Sequence, residues 1–180
     1  MSSIPMAIRG ESVALRTLAP VFSDMLMLRD AVAPSLNGSG ERLPRWLAEC
    51  MKSPENCRRQ LAICSIDYEL GNGVMYGVFA SGACHGYVEA FGLSAGNRQA
   101  ELAFWMARVS RGRGYMTEAV GLMERSLASC GAADSFLIAC RPANAPSIRV
   151  AEKCGYAPSD EARGLGIAGW LVFKKSRAPA

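Results

Sequence analysis

Arg111-Gly112-Arg113-Gly114-Tyr115-Met116 is the stretch on which the reading of this chain turns. It follows an apolar run, Leu102 to Met106, and it opens into a helix-patterned segment, Thr117 to Cys130. A strand, a basic glycine loop and a helix in succession make an anion grip. The glycines allow the backbone to bend so that several N–H groups converge on one point. The helix start adds unpaired donors and the positive end of the peptide dipoles, and the two arginines add charge and forked hydrogen bonding.

Working outward, Gln99 to Met106 reads as a strand, and so do Val74 to Ala80 and His85 to Leu93, joined around Ser81-Gly82. Met116, Val120, Met123, Leu127 and Cys130 form one face of the helix after the loop, with Gly131 as its stop. Ser135 to Cys140 is a short buried-type strand. Asn144 caps a helix from Ala145 to Cys154, closed by Gly155, and Gly169 to Lys174 is a last strand. Upstream, Val13 to Leu18 is a strand ended by Pro20, and Phe22 to Val32 is a helix. Pro34 to Gly40 is a loop by composition, and Glu41 to Met51 is a short helix interrupted at Pro44. Ser53-Pro54-Glu55 starts a helix that carries Cys57, Leu61, Cys64 and Tyr68 and stops at Gly71, although Leu61 to Ile66 is apolar enough for a strand. The order predicts an α+β fold with a mixed, mostly antiparallel central sheet flanked by helices. The length of 180 residues fits a single domain, 1-180.

Bulk properties exclude several classes. The net charge of +4, without a Lys/Arg block or an aromatic-basic stripe, gives no support to nucleic-acid binding. No run of about 18 apolar residues exists, so no membrane partner is expected, and Met1 to Gly10 lacks the apolar core of a signal peptide. Seven cysteines without a Cys-x-x-Cys read as reduced, mostly buried thiols of a cytoplasmic protein. His85 is the only histidine, so neither a metal site nor a Cys-His or Ser-His-Asp apparatus is expected. The glycine loop is not a P-loop, which needs Gly-x-x-x-x-Gly-Lys-Ser/Thr. It is a poor dinucleotide turn, because Thr117 stands where the third glycine belongs.

The segments AELAFWM (100–106), SRGRGYMTEAV (110–120) and NAPSIRVAEKCGY (144–156) together resemble the acetyl-CoA site of the GNAT acetyltransferase superfamily. Within it they are most similar to the branch that acetylates ribosomal-protein N-termini, the Rim type. The superfamily loop reads Gln/Arg-x-x-Gly-x-Gly/Ala. Arg111 and Gly114 match it, whereas Met116 takes the place of the last small residue, so its side chain must point away or loosen the grip. The resemblance implies a GNAT-like fold with its acetyl-CoA site within about 100-156, and an N-acetyltransferase that works by direct attack, with no acyl-enzyme and no metal. The acceptor it implies is a primary amine, foremost a protein or peptide N-terminus. A small-molecule amine or antibiotic is the alternative, and a non-catalytic acyl-CoA-binding module is a third reading. A homodimer is left open.

It also implies roles for residues. The amides from Arg111 through Gly112, Arg113, Gly114, Tyr115 and Met116 to Thr117 would hold the pyrophosphate, with Arg111 and Arg113 as candidates for direct phosphate contact or for solvent. Trp105, Met106 and Ala107 would pair with the pantetheine arm as a strand does. Asn144 and Ser147 would lie near pantetheine and sulfur, and Arg149 and Lys153 would either meet the 3′-phosphate or form a solvated face. Glu101 is the candidate base, on one strand face with Ala103 and Trp105; its other reading is an exposed strand carboxylate. Ser147 and Tyr156 compete as the acid that protonates the leaving thiolate. Glu89 shares a face with Tyr87 and Phe91 and could meet a cationic acceptor or only water. Residues 20 to 50 and Ser159 to Gly169 would build the acceptor pocket, where Asp30, Asp160 and Glu161 could serve a cation.

Overall fold

The computed structural model describes residues 3–36, 43–93, 96–163 and 169–176, and the side chains of 162 and 163 are outside the description. Eight strands form one sheet: β1 Ala7–Arg9, β2 Ala14–Thr17, β3 Gly73–Ala80, β4 Ala83–Phe91, β5 Gln99–Met106, β6 Ser135–Cys140, β7 Ala157–Ser159 and β8 Leu171–Ser176. The helices are α1 Phe22–Leu36, α2 Arg45–Lys52, α3 Pro54–Glu69, α4 Tyr115–Ser129 and α5 Ala145–Lys153. The spatial order of the strands is β1-β2-β3-β4-β5-β6-β8-β7. All neighbours are antiparallel except β5 and β6. The expected α+β architecture, mostly antiparallel with flanking helices, is therefore the observed one.

Helices cover both faces of the sheet. On one face α4 buries Met116, Ala119, Val120, Leu122, Met123 and Leu127 against Leu15, Tyr76, Val88, Leu102 and Met106, and Phe136 and Ile138 belong to the same core. Full burial of each large apolar side chain contributes about 1.5–3 kcal/mol, so this stripe fixes α4 to the sheet. On the other face Met25, Leu28 and Val32 of α1, Leu47 and Cys50 of α2, and Cys57 and Leu61 of α3 pack with Met75, Tyr87 and Trp105.

Several boundaries differ from the sequence reading. The chain adds two edge strands of three residues, β1 and β7, too short to give a periodic signal and the second carrying Pro158. The helix α1 runs past Val32 and through Pro34 to Leu36. Proline near a helix end removes only the bond to Asp30, and burial of Val32 and Ser35 outweighs the loop-like composition. The remainder of that expected loop, 37–42, lies outside the described residues. Pro44 precedes α2 as its cap position and does not interrupt it. The segment Leu61 to Ile66 is helical, set by the Ser53 cap whose Oγ accepts from the Asn56 amide at 3.1 Å. The final strand begins at Leu171, two residues later than expected.

One internal ion pair braces the α1 entrance. Asp24, buried, accepts from both guanidinium nitrogens of Arg16 at 2.8 and 2.9 Å and from the Ala19 amide at 2.8 Å. Burial by itself would raise this carboxyl, but the Arg16 and Ala19 hydrogen bonds and the Arg16 charge bring it below its ordinary value.

Candidate active site

The strands β5 and β6 pair only through Gln99, Ala100 and Glu101 with Ser135, Phe136 and Leu137. Both continue, to Met106 and to Cys140, without pairing to each other, so the sheet splits between them. A cleft of about 570 Å³ occupies this end of the molecule, lined by Phe104, Trp105 and Met106 of β5, Ser110 to Thr117, and Asn144, Pro146, Ser147, Arg149, Val150 and Lys153 at α5.

Strand alternation decides which backbone groups face the split. The Ala107 amide donates to His85 O at 2.8 Å, and β4–β5 register pairs Trp105 with Tyr87 and Met106 with Gly86. In an antiparallel ladder only every second residue bonds a given neighbour. Trp105 and Ala107 therefore spend their peptide groups on β4, and those of Phe104 and Met106 point toward β6, where no partner strand follows. The expected strand-like edge at Trp105 to Ala107 is thus shifted by one residue, to Phe104 and Met106.

A short turn, Arg108–Ser110, leads from β5 to the glycine loop. The His85 ring ties it down: Nε2–H donates to Ala80 O at 3.1 Å, and Nδ1 accepts from the Ser110 hydroxyl at 2.8 Å. Arg111 Nε donates to Met106 O at 2.9 Å. That bond turns this side chain back onto the strand, where it shapes the loop in addition to any charge it lends. Gly112 and Gly114 take φ of +79° and +82°, the left-handed region that favours glycine. A Cβ at either would meet nothing within 4 Å.

The first turn of α4 completes the cradle. The Glu118 amide makes the first helical bond, to Gly114 O at 3.0 Å. Among the described residues, the amides of Gly112, Arg113, Gly114, Tyr115, Met116 and Thr117 find no protein acceptor. Met116 is 7% exposed and belongs to the α4 core. Its side chain points away from the cleft and leaves its amide accessible, which resolves the alternative posed by its size. Arg113 is exposed at the loop tip, and Arg149 and Lys153 are exposed along α5. All three line the cleft with Arg111 and Arg141, and among the described residues no carboxylate does.

At α5, Asn144 Oδ1 accepts from the Ser147 amide at 3.4 Å, so Asn144 acts as the cap. The Ser147 hydroxyl, half-buried on the cleft wall, has no protein partner among the described residues. Tyr156 is elsewhere. It is 5% exposed in the core under α4, with Lys175 Nζ 5.6 Å from its ring centre and Glu124 beside it. Burial and then the Glu124 charge push its phenol far above the ordinary range. It does not line the cleft, so of the two candidate acids only Ser147 stands at it.

Glu101 is half-buried at the closed end of the split, paired with Leu137 on one side and Phe91 on the other. Burial raises its carboxyl above the ordinary value. It shares its face with Trp105, as the alternation requires. That face is not left bare as expected, because α1, α2 and α3 cover it. Of the residues proposed for the acceptor side, 37–42 and 164–168 lie outside the described residues, and Glu161 is paired with Lys174. Sequence reasoning missed Phe104 and Arg141 as cleft residues and named Pro44 only within the broad span 20 to 50. For Phe104 the deciding fact is the β4–β5 register, which alternation along β5 alone does not reveal.

Among the described residues, no group of three or more His, Cys, Asp or Glu is placed to hold a metal, and no helix is long and apolar enough to cross a membrane. All seven cysteines are free thiols.

A family model described as an acetyltransferase (GNAT) domain matches residues 26–157. No curated protein matches the chain by sequence. Among solved structures, the ribosomal L7/L12 alpha-N-protein acetyltransferase RimL in complex with coenzyme A superposes with a TM-score of 0.78 at 19% identity, covering 97% of this chain and 98% of that one. The microcin C7 self-immunity acetyltransferase MccE, in complex with acetyl-CoA and AMP, gives 0.74 at 16% identity over 93% and 94%. Mycobacterium smegmatis RimJ in complex with CoA-disulfide gives 0.76 at 17% identity over 91% and 81%.

Proposed function

Because the chain belongs to the GNAT acetyltransferase family, we propose that its cleft binds acetyl-CoA and that it transfers the acetyl group to a primary amine, foremost the free N-terminus of a protein or peptide. The observation that carries this is the fan of unpartnered amides from Gly112 to Thr117 beside the open edge of β5. It fits a pyrophosphate followed by an amide-bearing arm. The amides and the α4 dipole offer charge-assisted bonds to phosphate, each worth about 1.5–3 kcal/mol. The cations Arg113, Arg149 and Lys153 surround the same anion, and Phe104 and Met106 pair with the arm.

The cosubstrate supplies an acyl group already activated as a thioester, so no protein nucleophile is needed once the amine is held against it. The chain's own tasks are to remove a proton from the ammonium and to return one to the sulfur. Glu101, with its raised carboxyl on the face away from α4, is the base in this reading, and Ser147 is the donor to the leaving thiolate. A small amine as acceptor is the second reading. It is favoured by the likeness to MccE, a self-immunity enzyme solved with acetyl-CoA and AMP.

The test is release of free thiol from acetyl-CoA with peptides bearing free or blocked N-termini and with small amines. Turnover of free but not blocked peptides is expected. Exclusive turnover of small amines would install the second reading. Absence of any thermal stabilisation by saturating acetyl-CoA would remove both.

A further inference from the structure

Among the cations that line the cleft, Arg141 stands apart from the glycine loop and from α5. It follows β6 directly, and alternation along that strand fixes its side. Phe136, Ile138 and Cys140 belong to the core under α4. Leu137 and Ala139 therefore face the other way, and Arg141 continues their row. The neighbouring strand agrees. Cys140 pairs with Leu171, so Trp170 comes opposite Arg141, and the Arg141 guanidinium stands over the Trp170 ring, 5.4 Å from its centre. Glu101 pairs with Leu137 and occupies the same face, as does Trp105. Arg141 is thus on the opposite side of the sheet from α4. The phosphates assigned to the loop have Arg113, Arg149 and Lys153 on the α4 side, whereas the proposed base Glu101 shares its side with Arg141.

Among the described residues Arg141 is paired with no carboxylate, only with the ring. A ring face satisfies a guanidinium in part, and its fork of N–H donors matches a carboxylate. The other acids of this face are engaged or remote. Glu161 bonds Lys174 and the Gln99 amide, and Glu89 sits on β4 beside Asp67 in a separate pocket at the closed end. The face therefore has polarity along the split, with Glu101 at the closed end and Arg141 at the open one. Arg141 lies four residues past Leu137, the partner of Glu101. At about 3.3 Å per residue the two levels are roughly 13 Å apart. We propose that Arg141, backed by Trp170, is a specificity-determining residue that receives a carboxylate of the acceptor. The acceptor is then a primary amine carrying an anion within roughly 13 Å of the reacting nitrogen. A peptide with Asp or Glu in about its first four residues has that form. A small amino acid carries the same chemistry. A basic residue in those positions would instead meet a wall of cations. The inference rests on the acetyl-transfer reading of the cleft.

The test uses tetrapeptides amidated at the C-terminus, so that a side chain supplies the only anion. Ser-Ala-Ala-Ala is compared with peptides carrying a single Asp or a single Lys at position 2, 3 or 4. The pair 4-aminobutyrate and butylamine separates a small acceptor from a peptide. At one of these positions, or in the small pair, the acceptor with the carboxylate should show kcat/KM roughly fivefold above its neutral partner. The matching Lys peptide should fall below both. In R141Q the ratio should drop to about one, R141K should keep part of it, and R141E should invert it in favour of Lys. Added salt should shrink the wild-type preference. Equal kcat/KM across the series, or a ratio unaltered in a folded R141E, overturns the proposal. So does calorimetry in which R141Q loses acetyl-CoA affinity by the same factor as turnover, because Arg141 then serves the phosphates. Absence of acetyl-CoA binding, or of turnover with any amine, in the wild type defeats the underlying reading instead.

Discussion

Substituting Gly114 by alanine separates what the glycine does for the fold from what it does for the ligand. Gly114 has φ of +82° and caps α4, and an added Cβ would meet nothing within 4 Å. Two costs follow. An L-residue held in the left-handed region costs about 1–2 kcal/mol, which for a chain of this length lowers Tm by roughly 2–8 °C. If the loop amides hold a phosphate, as proposed, the added methyl crowds its approach. Losing one charge-assisted bond of about 1.5–3 kcal/mol weakens acetyl-CoA roughly 10- to 150-fold. Gly71, at the end of α3, supplies the control: its φ is +70° and an added Cβ there also meets nothing within 4 Å. It is absent from the cleft lining. Gly71→Ala should thus show the loss in Tm with unchanged affinity, and Gly114→Ala should show both losses. Melting curves and calorimetric titration with acetyl-CoA read the two quantities separately. If Gly114→Ala binds within threefold of wild type while melting like Gly71→Ala, the cradle is not the phosphate site.

Other perturbations follow from the same geometry. Glu101→Gln should lower kcat most in the window above the raised carboxyl value and below the acceptor amine's own pKa, where the wild-type base is ionised and the amine is not yet neutral; pH–rate profiles that coincide for the two proteins would remove Glu101 as base. Met116→Ala should cost about 2–4 kcal/mol of stability by opening a cavity under α4, with acetyl-CoA affinity unchanged because the Met116 side chain belongs to the core; denaturant midpoints and calorimetry check both halves. Asp24→Asn should cost about 1–3 kcal/mol near neutral pH through its hydrogen bonds to the Arg16 guanidinium, which is itself partly exposed. Because the folded carboxyl lies below its ordinary value, that contribution is present above about pH 4 and is lost as pH falls through the folded value, so the difference between the proteins should vanish in acid.

Local chemistry made much of this molecule legible. Gln99–Met106 and Ser135–Cys140 have the bounds their apolar runs predict, and Asn144, Ser53 and Gly131 act at helix ends as such residues do. The loop between β5 and α4 was readable because glycine at positive φ, basic side chains and a helix start are properties of adjacent residues. Segments whose state depends on remote partners were not readable. Pro34 stays helical because Val32 and Ser35 are buried, and β1 and β7 exist only because β2 and β8 lie alongside them.

The order of elements, the glycine cradle and the character of the anion it suits were therefore determined by the sequence itself, since each depends on covalent neighbours. Tertiary structure alone decided which way the chemistry points. It turned Met116 into the core, buried Tyr156 under α4, aimed the peptide groups of Phe104 and Met106 at the split, and set Glu89 against Asp67 across a helix–sheet gap. Those outcomes depend on strand register and on which face meets which helix, and both are fixed by contacts between residues far apart along the chain.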